Sequence, residues 1–252
     1  MRLQAKTAIV TGAGRGIGAA IARRFAQEGA NVVVADFKET GAAVANEIVE
    51  QGGQAVFFQL DVSRSEQVQA LIRFTAERFG SLHVLCNNAG INIPGTVIDV
   101  TEDVWDRTMD VNVKSMFLAA KYGIPEMQKA GGGSIINVGS VNSLVAEPKL
   151  SAYVTSKGAI LMLTKSIALD FAQERIRANC ICPGWVDTTF NDAHASLMGG
   201  IEQVLGSIGD FQPINRVIQP SEIASVAVFL ASDESSAMTG SAVVVDGGMS
   251  AK

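Results

Sequence analysis

Seven short apolar runs alternate with longer stretches of helical periodicity along this chain of 252 residues. Runs such as Val32-Val33-Val34-Ala35 are apolar without a break, which is typical of strands covered on both faces of a sheet. Ile17, Ile21 and Phe25 recur at the spacing of one helical face. The pattern predicts strands over 6–11, 31–36, 54–60, 82–87, 133–139, 176–182 and 241–246. It predicts helices over 17–28, 39–51, 64–79, 102–129, 151–173 and 221–231.

This alternation predicts a single α/β domain over residues 1–252, built on a doubly wound parallel sheet of about seven strands flanked by helices. Residues 187–215 interrupt the alternation of strands and helices, because they form a long connection rich in glycine and polar residues. Connections of that length inside a compact domain usually serve binding. We therefore predict a substrate lid at 187–215, called the lid segment below, and expect the other walls of the substrate site at 91–96 and 141–150.

Composition favours a globular protein, since 48% of the residues are hydrophobic and only 18% are charged. The net charge of −5 argues against a nucleic-acid partner. No apolar stretch approaches the roughly 18 residues that span a bilayer, and the first residues leave no room for a signal peptide. These features predict a cytoplasmic protein with no membrane partner.

The chain has three cysteines, Cys86, Cys180 and Cys182, and two histidines, His83 and His194. The cysteines lie in strand-like apolar runs, and their spacing matches no metal-binding motif. We predict buried, reduced thiols and no metal site.

The stretch VTGAGRGIGAAIA at 10–22 places four glycines, Gly12, Gly14, Gly16 and Gly18, between the first strand and the first helix. Such a turn suits a phosphate, because free backbone N–H groups and the positive helix end face it. A plain tight turn would also use glycine, so the loop needs support from elsewhere in the chain.

That support comes from polar or unusual residues at the carboxyl ends of the strands, where ligands bind on such sheets. They are Thr11-Gly12, Asp36, Asp61, Asn87-Asn88-Ala89-Gly90, Ser140 and Pro183-Gly184. Asp36 could cap the next helix, but its place about 20 residues after a glycine loop favours a carboxylate that binds ribose hydroxyls.

Several separated motifs together resemble the short-chain dehydrogenase/reductase family over nearly the whole chain. They are Thr11-Gly12-x-x-x-Gly16-x-Gly18, Asn88-Ala89-Gly90, Asn112, Ser140, Tyr153-x-x-x-Lys157, Pro183-Gly184 and the DGG at 246–248. The resemblance implies a Rossmann-like fold, a nicotinamide dinucleotide cofactor and hydride transfer between this cofactor and an alcohol or ketone.

The expected catalytic residues are Ser140, Tyr153, Lys157 and Asn112. Tyr153 can move the alcohol proton, although a phenol ordinarily titrates near 10. Lys157 lies one helical turn later, so we expect its charge, together with an oxidised nicotinamide, to lower the Tyr153 pKa. The resemblance further implies that Lys157 binds the nicotinamide ribose, that Ser140 binds the substrate oxygen and that Asn112 holds a water beside Lys157.

A larger set of residues is expected to bind the cofactor: Gly12, Arg15, Gly16, Ile17, Gly18, Asp36, Phe37, Asp61, Val62, Asn88, Ala89, Gly90, Tyr153, Lys157, Pro183, Gly184, Val186 and Thr188. Asp61 fits an adenine contact or the N-cap of the next helix. The resemblance implies that Thr188 binds the nicotinamide carboxamide. Trp105 fits packing better than a substrate role.

Charge predicts NAD rather than NADP, because the extra 2′-phosphate of NADP would lie against the carboxylate of Asp36. The basic residues Arg15 and Lys38 favour NADP, but they are weaker indicators than Asp36. No lysine or arginine occurs in the lid segment, which favours a neutral sugar, polyol or ketone over an anionic substrate. Lys149, outside the lid segment, favours an anionic substrate instead. The alternatives are an NAD-dependent dehydrogenase of a hydroxy or keto acid and a regulator that binds NAD without turnover.

The predicted helices 102–129 and 151–173 carry more apolar residues than one sheet face can cover. The resemblance implies a four-helix contact between two subunits and often a second contact through the seventh strand and the closing GGMSAK. We therefore expect a homotetramer, with a dimer as the alternative and a monomer only if the fold buries all of these residues.

Overall fold

One sheet of seven parallel strands organises the computed structural model, which describes residues 1–251. The strands are β1 Thr7–Thr11, β2 Asn31–Asp36, β3 Gln54–Gln59, β4 Val84–Asn87, β5 Gly133–Val138, β6 Ile176–Pro183 and β7 Ala242–Val245. Their order across the sheet is β3-β2-β1-β4-β5-β6-β7, so the chain winds outward from β1 in both directions. All predicted strands are present, and the doubly wound fold is confirmed.

Helices cover both faces of the sheet. They are α1 Gly16–Gln27, α2 Thr40–Glu50, α3 Ser65–Phe79, α4 Glu102–Met109, α5 Ser115–Lys129, α6 Ser151–Phe171, α7 Asp192–Leu197, α8 Ile201–Gly206, α9 Ile208–Phe211 and α10 Pro220–Ala231. On β2, Val32 and Val34 join a buried cluster with Phe25 of α1, whereas Val33 joins a second cluster with Leu71 of α3. Successive strand residues thus face opposite layers, which is why the strands are apolar throughout.

The predicted helix over 102–129 is wrong at its centre, because α4 and α5 are joined by a π-helical turn at Asp110–Lys114. On either side of the turn, the hydroxyls of Thr108 and Ser115 donate to the carbonyls four residues earlier. A π turn inserts one extra residue and rotates the faces that follow, and such turns often accompany functional sites. This turn contains the fully buried Asn112.

The lid segment contains a short turn at Thr189–Asn191 followed by α7, α8 and α9. Its apolar residues pack with Trp185 in a small cluster of their own. The buried side chain of Gln212 accepts a hydrogen bond from the Trp185 N–H at 2.8 Å and donates to the Arg216 carbonyl at 2.6 Å. This amide therefore fastens the end of the lid segment to the residues that follow β6.

All three cysteines are buried, free thiols, as predicted. The sulfur atoms of Cys180 and Cys182 lie 3.9 Å apart on β6, and burial raises the pKa of Cys86 to about 12. No cluster of three or more metal-ligating side chains occurs within residues 1–251. Over the same range, no helix combines the length and the hydropathy needed to cross a membrane.

Candidate active site

A cavity of about 790 Å³ lies beyond the carboxyl ends of the strands, between the loops that follow them and the lid segment. Its size is typical of a small-molecule or cofactor site. Every site residue predicted from the sequence lines this cavity except Gly18 and Asn112. Those two residues lie behind its wall and act on residues that line it.

The glycine loop follows β1 in a conformation that few other residues adopt, with φ of +62° at Gly12 and +54° at Gly16. A Cβ atom on Gly12 would lie 2.8 Å from the Cα of Ala89, and one on Gly18 would lie 2.2 Å from the Gly12 carbonyl oxygen. Asn88 donates from its side-chain amide to the carbonyls of Thr11 and Gly12, both at 3.0 Å. Gly12 and Gly18 thus let the loop pack against the chain after β4, which the sequence did not reveal.

The first turn of α1 faces the cavity through Gly16 and Ile17. The helix has no acidic residue in this turn, and no side chain caps it. Its first backbone N–H groups therefore lack intrahelical partners and carry the positive end of the helix dipole. This arrangement fits a phosphate group.

Asp36 ends β2, and both of its carboxylate oxygens are held by backbone N–H groups. One oxygen accepts from Gly14 at 2.8 Å and the other from Lys38 at 2.9 Å. The alternative that Asp36 caps α2 is wrong, because that helix begins at Thr40 with Glu39 at its cap position. Phe37 beside it is 64% exposed at the rim of the cavity.

Asp61 lies after β3 with Val62 on the cavity wall. One carboxylate oxygen of Asp61 accepts from the Ser63 hydroxyl at 2.6 Å, and the other lies 3.5 Å from Arg107. Burial raises the pKa of Asp61, but the Ser63 hydrogen bonds and the Arg107 charge outweigh burial and leave it below the ordinary value. The N-cap alternative is wrong here too, because Arg64 occupies the cap position of α3.

Tyr153 and Lys157 project from successive turns of α6 into the buried end of the cavity. The Lys157 ammonium lies 5.4 Å from the centre of the Tyr153 ring and donates to the Val138 carbonyl at 2.9 Å. Ser140, which follows β5, interacts with the Tyr153 hydroxyl and accepts from the Asn142 N–H at 3.1 Å. The phenol, ammonium and hydroxyl thus converge at one place.

Burial, not Lys157, has the largest effect on the Tyr153 phenol and raises its pKa. The nearby Ser140 hydroxyl lowers the Tyr153 pKa, and the negative charge of Glu147 raises it further. The expected net lowering of the Tyr153 pKa is therefore wrong for the protein's own groups, because burial outweighs the groups that favour the phenolate. Burial also lowers the pKa of Lys157, to about 8, against a smaller opposing effect of Cys180 and Cys182.

Asn112 joins three segments through its side-chain amide. Its oxygen accepts from the Ile91 N–H at 2.8 Å, and its nitrogen donates to the Ile91 carbonyl at 3.0 Å and to the Ser156 hydroxyl at 2.9 Å. Ser156 in turn donates to the Tyr153 carbonyl at 2.7 Å. Asn112 thus holds the loop after β4 against the helix that carries Tyr153.

The chain after β6 forms the remaining wall with Pro183, Gly184, Val186 and Thr188. Thr188 faces the glycine loop, since a Cβ on Gly16 would lie 3.1 Å from its methyl group. Beside it, Arg15 donates to the Thr189 hydroxyl at 2.7 Å and so connects the glycine loop to the lid segment.

Four residues line the substrate end from the stretches expected to form its walls, although no motif marked them individually: Asn92, Glu147, Phe190 and His194. The ring centre of Phe190 lies 6.0 Å from that of Tyr153, and the ring centre of His194 lies 5.6 Å from that of Trp185. Each lies in a connection with no periodic pattern, so only the fold could bring them together. Lys149 does not line the cavity.

Comparison with known proteins agrees with this geometry. The family model described as enoyl-(acyl carrier protein) reductase matches residues 12–250. An uncharacterized oxidoreductase of Thermotoga maritima is 38% identical over the full length of both chains. A cyclohexanol dehydrogenase of Acinetobacter sp. is 37% identical over 98% of this chain and 96% of its own.

Among solved structures, a gluconate 5-dehydrogenase of Burkholderia cenocepacia in complex with NADP and tartrate superposes with a TM-score of 0.93. The two chains are 34% identical, with 100% of this chain and 97% of the other covered. A parallel doubly wound sheet with a nucleotide-binding glycine loop and a buried tyrosine–lysine pair defines a class of oxidoreductases. The chain belongs to the short-chain dehydrogenase/reductase family.

Proposed function

We propose that this oxidoreductase transfers a hydride between NAD(H) and a secondary alcohol or ketone, namely a neutral sugar, polyol or cyclic or aliphatic ketone. The observation that carries the proposal is the convergence of Ser140, Tyr153 and Lys157 at the buried end of a cavity whose other end is suited to a dinucleotide. A bound nicotinamide dinucleotide supplies the acceptor or donor of the hydride.

The residues that would hold this cofactor follow the cavity from one end to the other. The first turn of α1 would bind the phosphates, Asp36 the adenosine ribose, and Asp61 and Val62 the adenine. Lys157 would bind the nicotinamide ribose and Thr188 the carboxamide. Asn88 supports this wall through its bonds to the glycine loop.

Tyr153 exchanges the proton with the substrate. When an alcohol is oxidised, its hydroxyl proton passes to the Tyr153 oxygen as the hydride leaves the carbinol carbon; reduction reverses both transfers. The raised pKa of Tyr153 keeps the phenol protonated at neutral pH, which prepares it to act as the acid in the reductive direction. For oxidation, the Lys157 charge stabilises the phenolate that must accept the proton.

Ser140 positions the substrate oxygen. Its hydroxyl interacts with Tyr153, and the backbone N–H of Asn142 fixes the oxygen from the other side. A hydroxyl held there can donate to a carbonyl oxygen as negative charge develops on it. Ser140 and Tyr153 together therefore polarise a ketone.

Charge at the ribose end supports NAD over NADP. Both Asp36 oxygens are anchored, so this carboxylate cannot swing away from a 2′-phosphate. Arg15 donates to the Thr189 hydroxyl rather than standing free at the ribose end. NADP is the alternative cofactor, because the Burkholderia cenocepacia enzyme is in complex with NADP.

The test compares the two tyrosines of the chain. Tyr153→Phe removes the transferable proton, so we expect a loss of about 10²–10⁴-fold in kcat, with unchanged cofactor affinity. Tyr122→Phe is the matched control, since the Tyr122 hydroxyl bonds Ser65 outside the cavity. Turnover is followed by NADH absorbance over polyols, sugars, hydroxy acids and cyclic alcohols. More than about a tenth of the activity in Tyr153→Phe would contradict the proposal.

We also propose a homotetramer. Phe117 on α5 and Met162 and Leu169 on α6 are 47%, 63% and 84% exposed, and they form apolar surface on neighbouring helices. At the sheet edge, Val244 of β7 is 43% exposed. Two separate apolar surfaces on one chain fit two kinds of two-fold contact, and hence a tetramer.

A further inference from the structure

Three polar side chains at the substrate end of the cavity have no part in the proposed hydride and proton transfer. They are Asn92 after β4, Glu147 after β5 and His194 on α7. They belong to three different connections, so the fold alone brings them to one cavity. Their chemistry bears on which substrate this cavity accepts.

Asn92 and Glu147 lie on adjoining segments. A parallel bridge pairs Gly95 with Leu150, and the Gly95 N–H donates to the Lys149 carbonyl at 2.7 Å. Glu147 also lies within electrostatic reach of the reacting group, because its charge acts on both Tyr153 and His194. A substrate bound at Tyr153 would therefore share the cavity with this carboxylate.

The side-chain oxygen of Asn92 is buried and accepts no hydrogen bond from the described residues. A buried acceptor without a donor is costly, so such atoms in native proteins usually meet a donor from a ligand or water. Since Asn92 lines the cavity, rotation of its side-chain amide brings this oxygen to a substrate hydroxyl, which supplies that donor. Glu147 is likewise an acceptor when ionised.

The cations that line the cavity over residues 1–251 are engaged elsewhere or lie at the cofactor end. Arg15 bonds Thr189, Arg107 pairs with Asp61, and Lys157 bonds Val138. Lys38 lies two residues after Asp36, at the ribose end. A substrate carboxylate would therefore face Glu147 without a basic partner of its own.

We propose that Glu147 and Asn92 recognise hydroxyl groups next to the reacting one, so that the substrate is a neutral polyol or sugar rather than a hydroxy acid. This inference rests on the proposed function. Phe190, beside the Tyr153 ring, offers the apolar surface against which the C–H face of such a molecule packs. The site thus combines acceptors on one wall with an aromatic ring on another.

The experiment measures kcat/KM with NAD for sorbitol, gluconate and cyclohexanol. Glu147→Ala and Asn92→Leu each remove an acceptor, so we expect kcat/KM for sorbitol to fall about tenfold more than that for cyclohexanol. Glu147→Gln keeps an acceptor but removes the charge, and we expect it to raise the gluconate-to-sorbitol ratio about tenfold. Asp192→Asn, which removes a carboxylate from α7 outside the cavity, is the matched control and leaves that ratio unchanged.

Calorimetry supplies a measurement that needs no turnover. Sorbitol binding to the protein saturated with NADH is compared between the wild type and Glu147→Ala, and we expect the affinity to fall about tenfold. A wild type that prefers gluconate or cyclohexanol to sorbitol, or a Glu147→Ala variant that loses all substrates equally, overturns the inference while leaving the proposed function standing. If no alcohol is oxidised with either cofactor, the proposed function fails and sorbitol binding alone decides the inference.

Discussion

The carboxylate of Asp36 accepts a hydrogen bond from the backbone N–H of Gly14 at 2.8 Å, which joins the end of β2 to the glycine loop after β1. A Cβ atom on Gly14 would lie 3.0 Å from the same carboxylate, so the loop passes close to it only because the residue is glycine. One side chain thus completes the loop and places a fixed negative charge at the cavity wall.

This fixed charge predicts the cofactor preference. We expect wild type to use NAD better than NADP, and Asp36→Asn to raise the NADP-to-NAD ratio of kcat/KM by about tenfold or more, because it removes a like charge from the 2′-phosphate. The amide keeps an oxygen that can accept the Gly14 N–H, so the loop is preserved. A wild type that favours NADP would contradict the argument from charge.

The lowered pKa of Lys157 predicts a pH-dependent stability. Its pKa falls from 10.5 to about 8 on folding, so between these values the unfolded chain binds more protons, and stability rises with pH. The burial cost is fully present below pH 8 and disappears above 10.5. Relative to Lys157→Met, wild type should gain roughly 3 kcal/mol in free energy of unfolding across this window.

Urea unfolding at several pH values and one fixed protein concentration measures this gain. Lys165→Met, which removes an exposed lysine from the same helix, is the control. A constant difference between wild type and Lys157→Met from pH 7 to 10.5 would show that Lys157 keeps its ordinary pKa.

Substitution of two helical glycines by alanine distinguishes the effect of a steric clash from the effect of backbone conformational preference. Gly18→Ala would place a Cβ 2.2 Å from the Gly12 carbonyl, so we expect the glycine loop to shift, with a loss of about 1–3 kcal/mol in stability and weaker cofactor binding. Gly206→Ala on α8 meets no atom within 4 Å and should be neutral or slightly stabilising. Thermal unfolding and NAD titration of both variants test this, and equal effects would refute it.

The proposed assembly predicts a change in mass. Met162→Glu with Leu169→Glu places charges on the exposed stripe of α6, so we expect the tetramer to give way to smaller species. Val49→Glu, at a half-exposed position on α2, should leave the mass unchanged. Light scattering after size-exclusion chromatography measures the mass of each variant. A stable, active wild-type monomer would exclude the interface but leave the catalytic assignments untouched.

The strands could be predicted from the sequence, because a strand that is buried on both faces of the sheet is apolar at every position. The helix prediction failed at Asp110–Lys114, because the apolar residues continue at helical spacing on each side of the π turn and its one extra residue leaves no separate signal. Spacing also could not show that the Asn112 amide contacts Ile91 and Ser156, since those partners come from distant segments.

Motifs located the dinucleotide end of the cavity but not its substrate end. Asp36 and the glycines lie at strand ends, where parallel topology fixes their neighbours. Glu147 and His194 lie in irregular connections, and their proximity depends on how those connections pack. The Tyr153 pKa was also misjudged, because spacing reveals Lys157 but not the burial that outweighs it.

Labelling of the buried thiols can measure how often the folded protein opens. Cys86, Cys180 and Cys182 are all 0% exposed on the central strands β4 and β6, so a thiol reagent can reach them only when the sheet separates from its helices. The rate of labelling would then follow the population of open molecules rather than thiol reactivity. Any small molecule that binds only the folded form should slow that labelling, so its affinity can be read without observing a reaction.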